Sequence, residues 1–217
     1  MALRAHRLVA LDLAALVDPQ HTALVTQECQ QGVIGEKSAL PALAAGVTRV
    51  DMIRHVAELV AAARAAGVRI IHCTAERRSD GFGANRNARL FSYMARTERP
   101  LLPGSEQAAL VPEIGAQPED LVITRLHGLS PFQGTELDWV LRNEGVTTIV
   151  GVGVSVNVAI QNLTFDAVNS SYQMVIPRDA VAGFPAEYVE RVFEHTLAAI
   201  ATLTTTRDLL AAWRSRS

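Results

Sequence analysis

A chain of 217 residues with 49% hydrophobic residues and a mean hydropathy of +0.16 has enough apolar side chains for one sizeable core, which excludes a disordered protein. A formal net charge of −2 leaves no basic footprint for nucleic acid and no basic segment to hold a membrane surface. Two cysteines, Cys29 and Cys73, are too few and too far apart for a disulfide framework or a zinc ribbon, so a reduced, cytoplasmic setting is expected.

Residues 1–21 precede the first expected strand. They carry Arg4, His6, Arg7 and Asp12 and make a poor secretory leader, while stretches 8–11 and 13–17 suit either an extra hairpin or a partner-facing arm. Residues 22–26 read as the first core strand, delivering Gln27, Glu28, Cys29 and Gln30 to its C-terminal end. From 47 to 66 the apolar residues Val50, Ile53, Val56, Leu59, Val60 and Ala63 recur every three or four positions, which predicts one amphipathic helix closed by Gly67. Residues 68–73 form the second strand, and a polar segment, 76–87, follows it with Arg77, Arg78 and Arg86. Partial helix is expected over 85–98 and a short helix over 105–110.

The runs 121–124 and 147–152 are rich in Val and Ile and do not alternate with polar residues, which predicts strands covered on both faces of a parallel sheet. Between them, residues 134–141 read as a helix start, with Thr135 able to cap it. A helix over 157–169, a strand over 173–176, a helix over 185–199 with Pro185 in its first turn, a strand over 201–205 and a helix over 207–213 complete the chain. No repeat or linker interrupts it, so residues 22–217 are expected to form a single α/β domain.

The order of Arg125, Ser130-Pro131-Phe132-Gln133-Gly134-Thr135-Glu136-Leu137, Gly153-Val154-Ser155-Val156-Asn157-Val158-Ala159, Asp166-Ala167, Tyr172 and Asp179-Ala180 resembles the isochorismatase-like cysteine hydrolase family. Residues 23–30 extend the resemblance, which covers most of the chain after residue 20. It implies a three-layer α/β fold with a six-stranded, mostly parallel sheet of order 3-2-1-4-5-6, helices on both faces, and assembly into a homo-oligomer, a dimer or tetramer. It also implies a small-molecule substrate or ligand, with neither nucleic acid nor membrane as partner.

In the resembled family a first-strand carboxylate, a third-strand Lys and a Cys at the start of the helix after the fourth strand form the site. The matching positions here are Glu28, Arg125 and Ala159, and all three depart from the pattern. A methyl group cannot attack a carbonyl, so thioester chemistry at Ala159 is not expected. Glu28 and Arg125 match each other, because a longer acid suits the planar guanidinium fork. An arginine so placed favours the ionised acid, which opposes use of Glu28 as a proton donor. True isochorismatases of the same family lack the Cys and protonate a vinyl ether, so a hydrolase with Glu28 as acid/base remains the favoured expectation. The alternative is a catalytically silent member that binds a metabolite or a partner. A cysteine amidase using Cys29, or Cys73 beside His72, ranks last.

Arg86, Phe132, Val154, Ser155 and Asn157 are the expected substrate-binding residues, with Arg77 and Arg78 as further candidates for a substrate carboxylate. The family also places a non-proline cis peptide at the equivalent of Val154–Ser155, next to amides that can hold an oxyanion or carboxylate. Nicotinamidase-type relatives bind a metal after the second strand with an Asp and two His. Residues 74–80 contain no His, so neither metal nor cofactor is expected.

Overall fold

The computed structural model describes residues 12–214. The described chain enters through a helical turn, α1 (Leu13–Leu16), capped by the Asp12 carboxylate on the Ala15 N–H at 3.2 Å. Residues 13–16 are thus helical and not the strand a hairpin needs, and residues 8–11 lie outside the described residues. Strand β1 (Thr22–Gln27) is followed by α2 (Gln31–Ile34), α3 (Pro41–Arg49) and α4 (Met52–Ala66). The one helix expected over 47–66 is therefore two. Asp51 separates them in a left-handed conformation (φ 51°), which Asp tolerates better than most residues, and Pro41 opens α3 at a position where its missing N–H costs nothing.

Strand β2 (Arg69–Ala75) leads into the long segment that contains α5 (Arg89–Met94). Residues 105–110 make turns and not the expected helix, because their backbone is engaged elsewhere. Gln31 and Gly32 donate to the carbonyls of Ala109 (2.8 Å) and Gln107 (2.9 Å), and Val111 donates to Cys29 (3.0 Å). Strand β3 (Leu121–Arg125) and α6 (Leu137–Asn143) follow, with the Thr135 hydroxyl accepting the Leu137 N–H at 3.2 Å. Next come β4 (Thr148–Val154), α7 (Ala159–Asn169), β5 (Gln173–Pro177) and the two-residue β6 (Val181–Ala182). Helix α8 (Ala186–Val192) runs through a π turn (Phe193–Leu197) into α9 (Ala198–Ile200), and β7 (Thr202–Thr204) and α10 (Thr206–Arg214) end the described chain.

All strand pairs are parallel, in the order β3-β2-β1-β4-β5-β7, with β6 beside β4. This is the expected six-strand order with one short strand added. Every residue of β1 and β4 is buried, as befits central strands covered on both faces. One face packs against Leu43, Val56, Leu59, Leu209 and Trp213 from α3, α4 and α10. The other packs against Leu137, Leu141, Ile160, Leu163 and Val189 from α6, α7 and α8. Strand order reverses between β1 and β4, so the chain leaves these neighbours toward opposite faces and opens a crevice at their C-terminal ends. Among the described residues no helix is long and apolar enough to cross a membrane.

Candidate active site

A cavity of about 570 Å³ occupies that crevice, and Glu28, Ala75, Arg125, Ser155, Asn157 and Ala159 line its floor. Its walls come from α3, from the segment 76–101 and from residues 126–129. The sequence places these residues far apart, and the parallel sheet brings them together because all its strands end on one edge.

Glu28 follows β1 in a left-handed conformation (φ 52°). That single residue breaks the alternation of the strand: the Glu28 side chain reaches the cavity while Cys29 drops into the core beneath the sheet. The neighbouring strand must come very close to permit this. Gly153, paired with Gln27 and held at φ 108°, sits where any Cβ would collide with the Gln27 carbonyl.

Arg125 stands at the end of β3 with its side chain 4% exposed. Its Nη2 donates to Glu28 Oε1, Nη1 to the Thr74 carbonyl (3.5 Å) and Nε to the Gly128 carbonyl (3.5 Å). Gln27 Nε2 donates to the same Glu28 oxygen at 3.1 Å. Glu28 Oε2 accepts no hydrogen bond among the described residues, so one carboxylate oxygen is fixed and the other is left for a ligand or water.

Opposite the ion pair, the turn after β4 carries a cis Val154–Ser155 peptide. The Ser155 carbonyl accepts from Val158 (3.1 Å) and Ile160 (3.0 Å). The N–H groups of Asn157 and Ala159 have no acceptor among the described residues, and both residues line the cavity at the N-terminus of α7. Unpaired amides at the positive end of an eleven-residue helix suit a developing negative charge. The Asn157 side chain is engaged with the Phe184 backbone, donating from Nδ2 to its carbonyl and accepting its N–H at 2.9 Å.

Two expected substrate contacts lie elsewhere. Phe132 is 8% exposed and packs against Tyr172, ring centroids 6.0 Å apart, on the face with α6 and α7. Val154 is fully buried in the opposite core, because strand alternation turns its side chain away while its peptide reaches the turn. Neither lines the cavity, whereas Arg86 and Ser155 do. Arg78 is held by Asp80 (2.7 Å), and Arg77 donates to the Met94 carbonyl (3.3 Å).

His72 and the two thiols also stay out of the cavity. His72 is completely buried, with Nδ1 bonded to the Thr26 hydroxyl (2.8 Å) and Nε2 to Asp120 (3.3 Å), which also pairs with Arg64. Burial pushes the Cys29 thiol up to about 12, with the Glu28 charge adding to the effect, and burial likewise pushes the Cys73 thiol up to about 12 despite the Arg125 charge. Both are poor nucleophiles.

Three contributors were not foreseen from sequence. Gln27 supports Glu28, which strict alternation would put on the other face. Gln30 spans β2 and the 105–110 turns, bonding the Ala75 N–H (2.8 Å) and the carbonyls of Ala75 (2.9 Å) and Ala108 (2.8 Å). Asn85 ties the long segment to the far wall by accepting the Gly128 N–H at 2.7 Å. Gly128, at φ 69°, was the one available signal of a sharp turn there.

Several known proteins are similar in architecture and sequence. A cysteine hydrolase from Pseudomonas syringae pv. phaseolicola 1448A superposes with a TM-score of 0.80 at 26% identity, covering 93% of this chain and 96% of that one. The uncharacterized isochorismatase family protein YwoC of Bacillus subtilis (strain 168) is 32% identical over 120 residues, 53% of this chain and 63% of that protein. A ureidoacrylate amidohydrolase RutB from Methylorubrum extorquens is 30% identical over 148 residues, 62% of this chain and 59% of that protein. The matches thus span about three-fifths of the length of these curated relatives. The model of the isochorismatase domain matches residues 22–208, from the first core strand into α10. With the family model running through both halves of the sheet and the helices that flank the crevice, the chain belongs to the isochorismatase family.

Proposed function

We propose that this chain is a hydrolase of a small anionic metabolite that works without a thiol nucleophile, with Glu28 as acid/base and Arg125 as its electrostatic partner. The observation that carries this reading is the half-engaged Glu28 carboxylate: Arg125 and Gln27 hold Oε1, and Oε2 is open on a cavity shared with Ala159. Oε1 already accepts from Arg125 and Gln27 and Oε2 is an open acceptor, which supports proton removal from water over initial proton donation. In this scheme Glu28 Oε2 takes a proton from water as the water oxygen bonds to the electrophilic carbon of the substrate. The electron pair displaced onto oxygen faces the Asn157 and Ala159 amides. Collapse breaks the bond to the leaving atom, which takes the proton back from Glu28.

The test is a substrate panel of amides, ureides and vinyl ethers, assayed with wild type and Glu28→Gln. Gln keeps the size and an oxygen for Arg125 but cannot accept a proton. The expected loss in kcat/KM is about 10²–10⁴-fold, the usual worth of a general base. Wild-type turnover should survive iodoacetamide. Undiminished turnover in Glu28→Gln, or turnover abolished by alkylation, would sink the proposal.

One observation favours the second reading, a metabolite-binding protein without turnover: Ala159 puts a methyl group where the resembled pattern has a thiol. Ligand binding with no turnover across the panel selects it. Assembly as a dimer or tetramer belongs to the same proposal and is read by light scattering of the purified chain.

A further inference from the structure

Arginines across the described chain, Arg54, Arg64, Arg142 and Arg178 among them, pair with carboxylates. Arg86, Arg89 and Arg96 have no carboxylate partner among the described residues, yet all three line one open groove of about 480 Å³ against α5. Three unopposed guanidiniums repel one another, and an anion between them removes that repulsion while gaining bidentate hydrogen bonds. The groove is not isolated. Arg86, Ser92 and Arg96 line both it and the active-site cavity, so the two spaces adjoin.

The cavity beyond is of the opposite character. Val33, Leu40, Leu43, Phe91, Met94 and Leu101 wall it, and at its floor Glu28 is balanced by Arg125. Of the other acids lining it, Asp80 is engaged by Arg78, which leaves Glu76. A very polar metabolite would strand this apolar wall against its own charges, whereas a purely apolar one would ignore the groove.

We propose that the ligand is an amphipathic anion, with an aryl or branched alkyl body in the cavity and a doubly charged group, a phosphate monoester or a dicarboxylate, on Arg86, Arg89 and Arg96. As a statement about substrate this rests on the hydrolase reading; as a statement about binding it stands alone.

Titration calorimetry on the full chain at low ionic strength tests it with four probes: phenyl phosphate, phenylsuccinate, inorganic phosphate and benzyl alcohol. At least one aryl dianion should bind ten-fold or more tighter than either inorganic phosphate or benzyl alcohol, and the tighter of the two identifies the charged group. The double variant Arg86→Ala/Arg96→Ala, altered at exposed positions, should lose at least ten-fold for that aryl dianion and nothing for benzyl alcohol. Equal affinity for inorganic phosphate, an unchanged double variant, or failure of both aryl dianions to bind overturns the inference. Binding that persists while the substrate panel shows no turnover removes the hydrolase reading and leaves this one intact.

Discussion

Position 159 is where a single side chain can test the proposed site. Ala159 lines the cavity with Glu28 and Arg125 and begins α7, where the helix dipole and the Arg125 cation favour a thiolate and the Glu28 carboxylate opposes it. The natural thiols are far from reactive. With values near 12, about one in 10⁴ of either is ionised at pH 8. Ala159→Cys should therefore react with iodoacetamide at pH 8 at least about ten-fold faster than wild type, with the label mapping to residue 159. Equal rates would mean that the start of α7 does not support an ionised thiol. That Glu28, Arg125 and Ala159 share one cavity was expected from the order of short motifs. The support that Gln27 gives Glu28 was not, because the left-handed residue at Glu28 breaks the regular strand that periodicity assumes. Val154 obeys strand alternation, and it is its peptide, not its side chain, that reaches the turn.

Between elements, a buried polar ladder joins β1, β2 and the start of β3. A neutral His72 that donates Nε2–H to Asp120 accepts the Thr26 hydroxyl at Nδ1, which satisfies both ring nitrogens. Burial holds the imidazole below its usual 6.5; the Asp120 hydrogen bond and charge oppose this, and the Arg64 charge adds to it. Burial alone would raise Asp120, but Arg64, the Gln117 N–H and His72 outweigh it and keep that acid below 3.8. The sign is the same for both groups. As pH falls through 6.5 the unfolded chain takes up a proton at residue 72 that the folded chain refuses, so stability drops; Asp120 adds a further loss below 3.8. The urea midpoint should be lower at pH 5 than at pH 7.5 at fixed ionic strength, and His72→Gln should flatten that difference. An unaltered slope in the variant would assign the pH dependence to other groups. The sequence puts His72 and Cys73 at the end of the second strand and favours a structural role for them over a place in the pocket. Only the β1–β2 register, Thr26 against His72, reveals that the ring looks along the sheet.

At the scale of the whole molecule, the parallel sheet was legible in the continuous apolar runs and the helices between them, while its strand order came from the resemblance to the family. The break at Asp51 was not legible, since one left-handed residue leaves the apolar spacing on either side of it intact, and the turns at 105–110 were not, since they depend on partners distant in sequence. The same long-range closure appears where the described chain ends. Trp213, 2% exposed, donates from its indole to the Val17 carbonyl at 3.0 Å, while Trp139 is 70% exposed. These are the two tryptophans of the chain, and their surroundings could hardly differ more. A Trp139→Phe variant should thus emit at short wavelength from a single shielded indole and shift to the red in one step as urea parts α10 from Val17. A red-shifted native spectrum would show that the indole is already wet. The clasp between opposite ends of the described chain thus doubles as an optical gauge of its integrity, available without any attached dye.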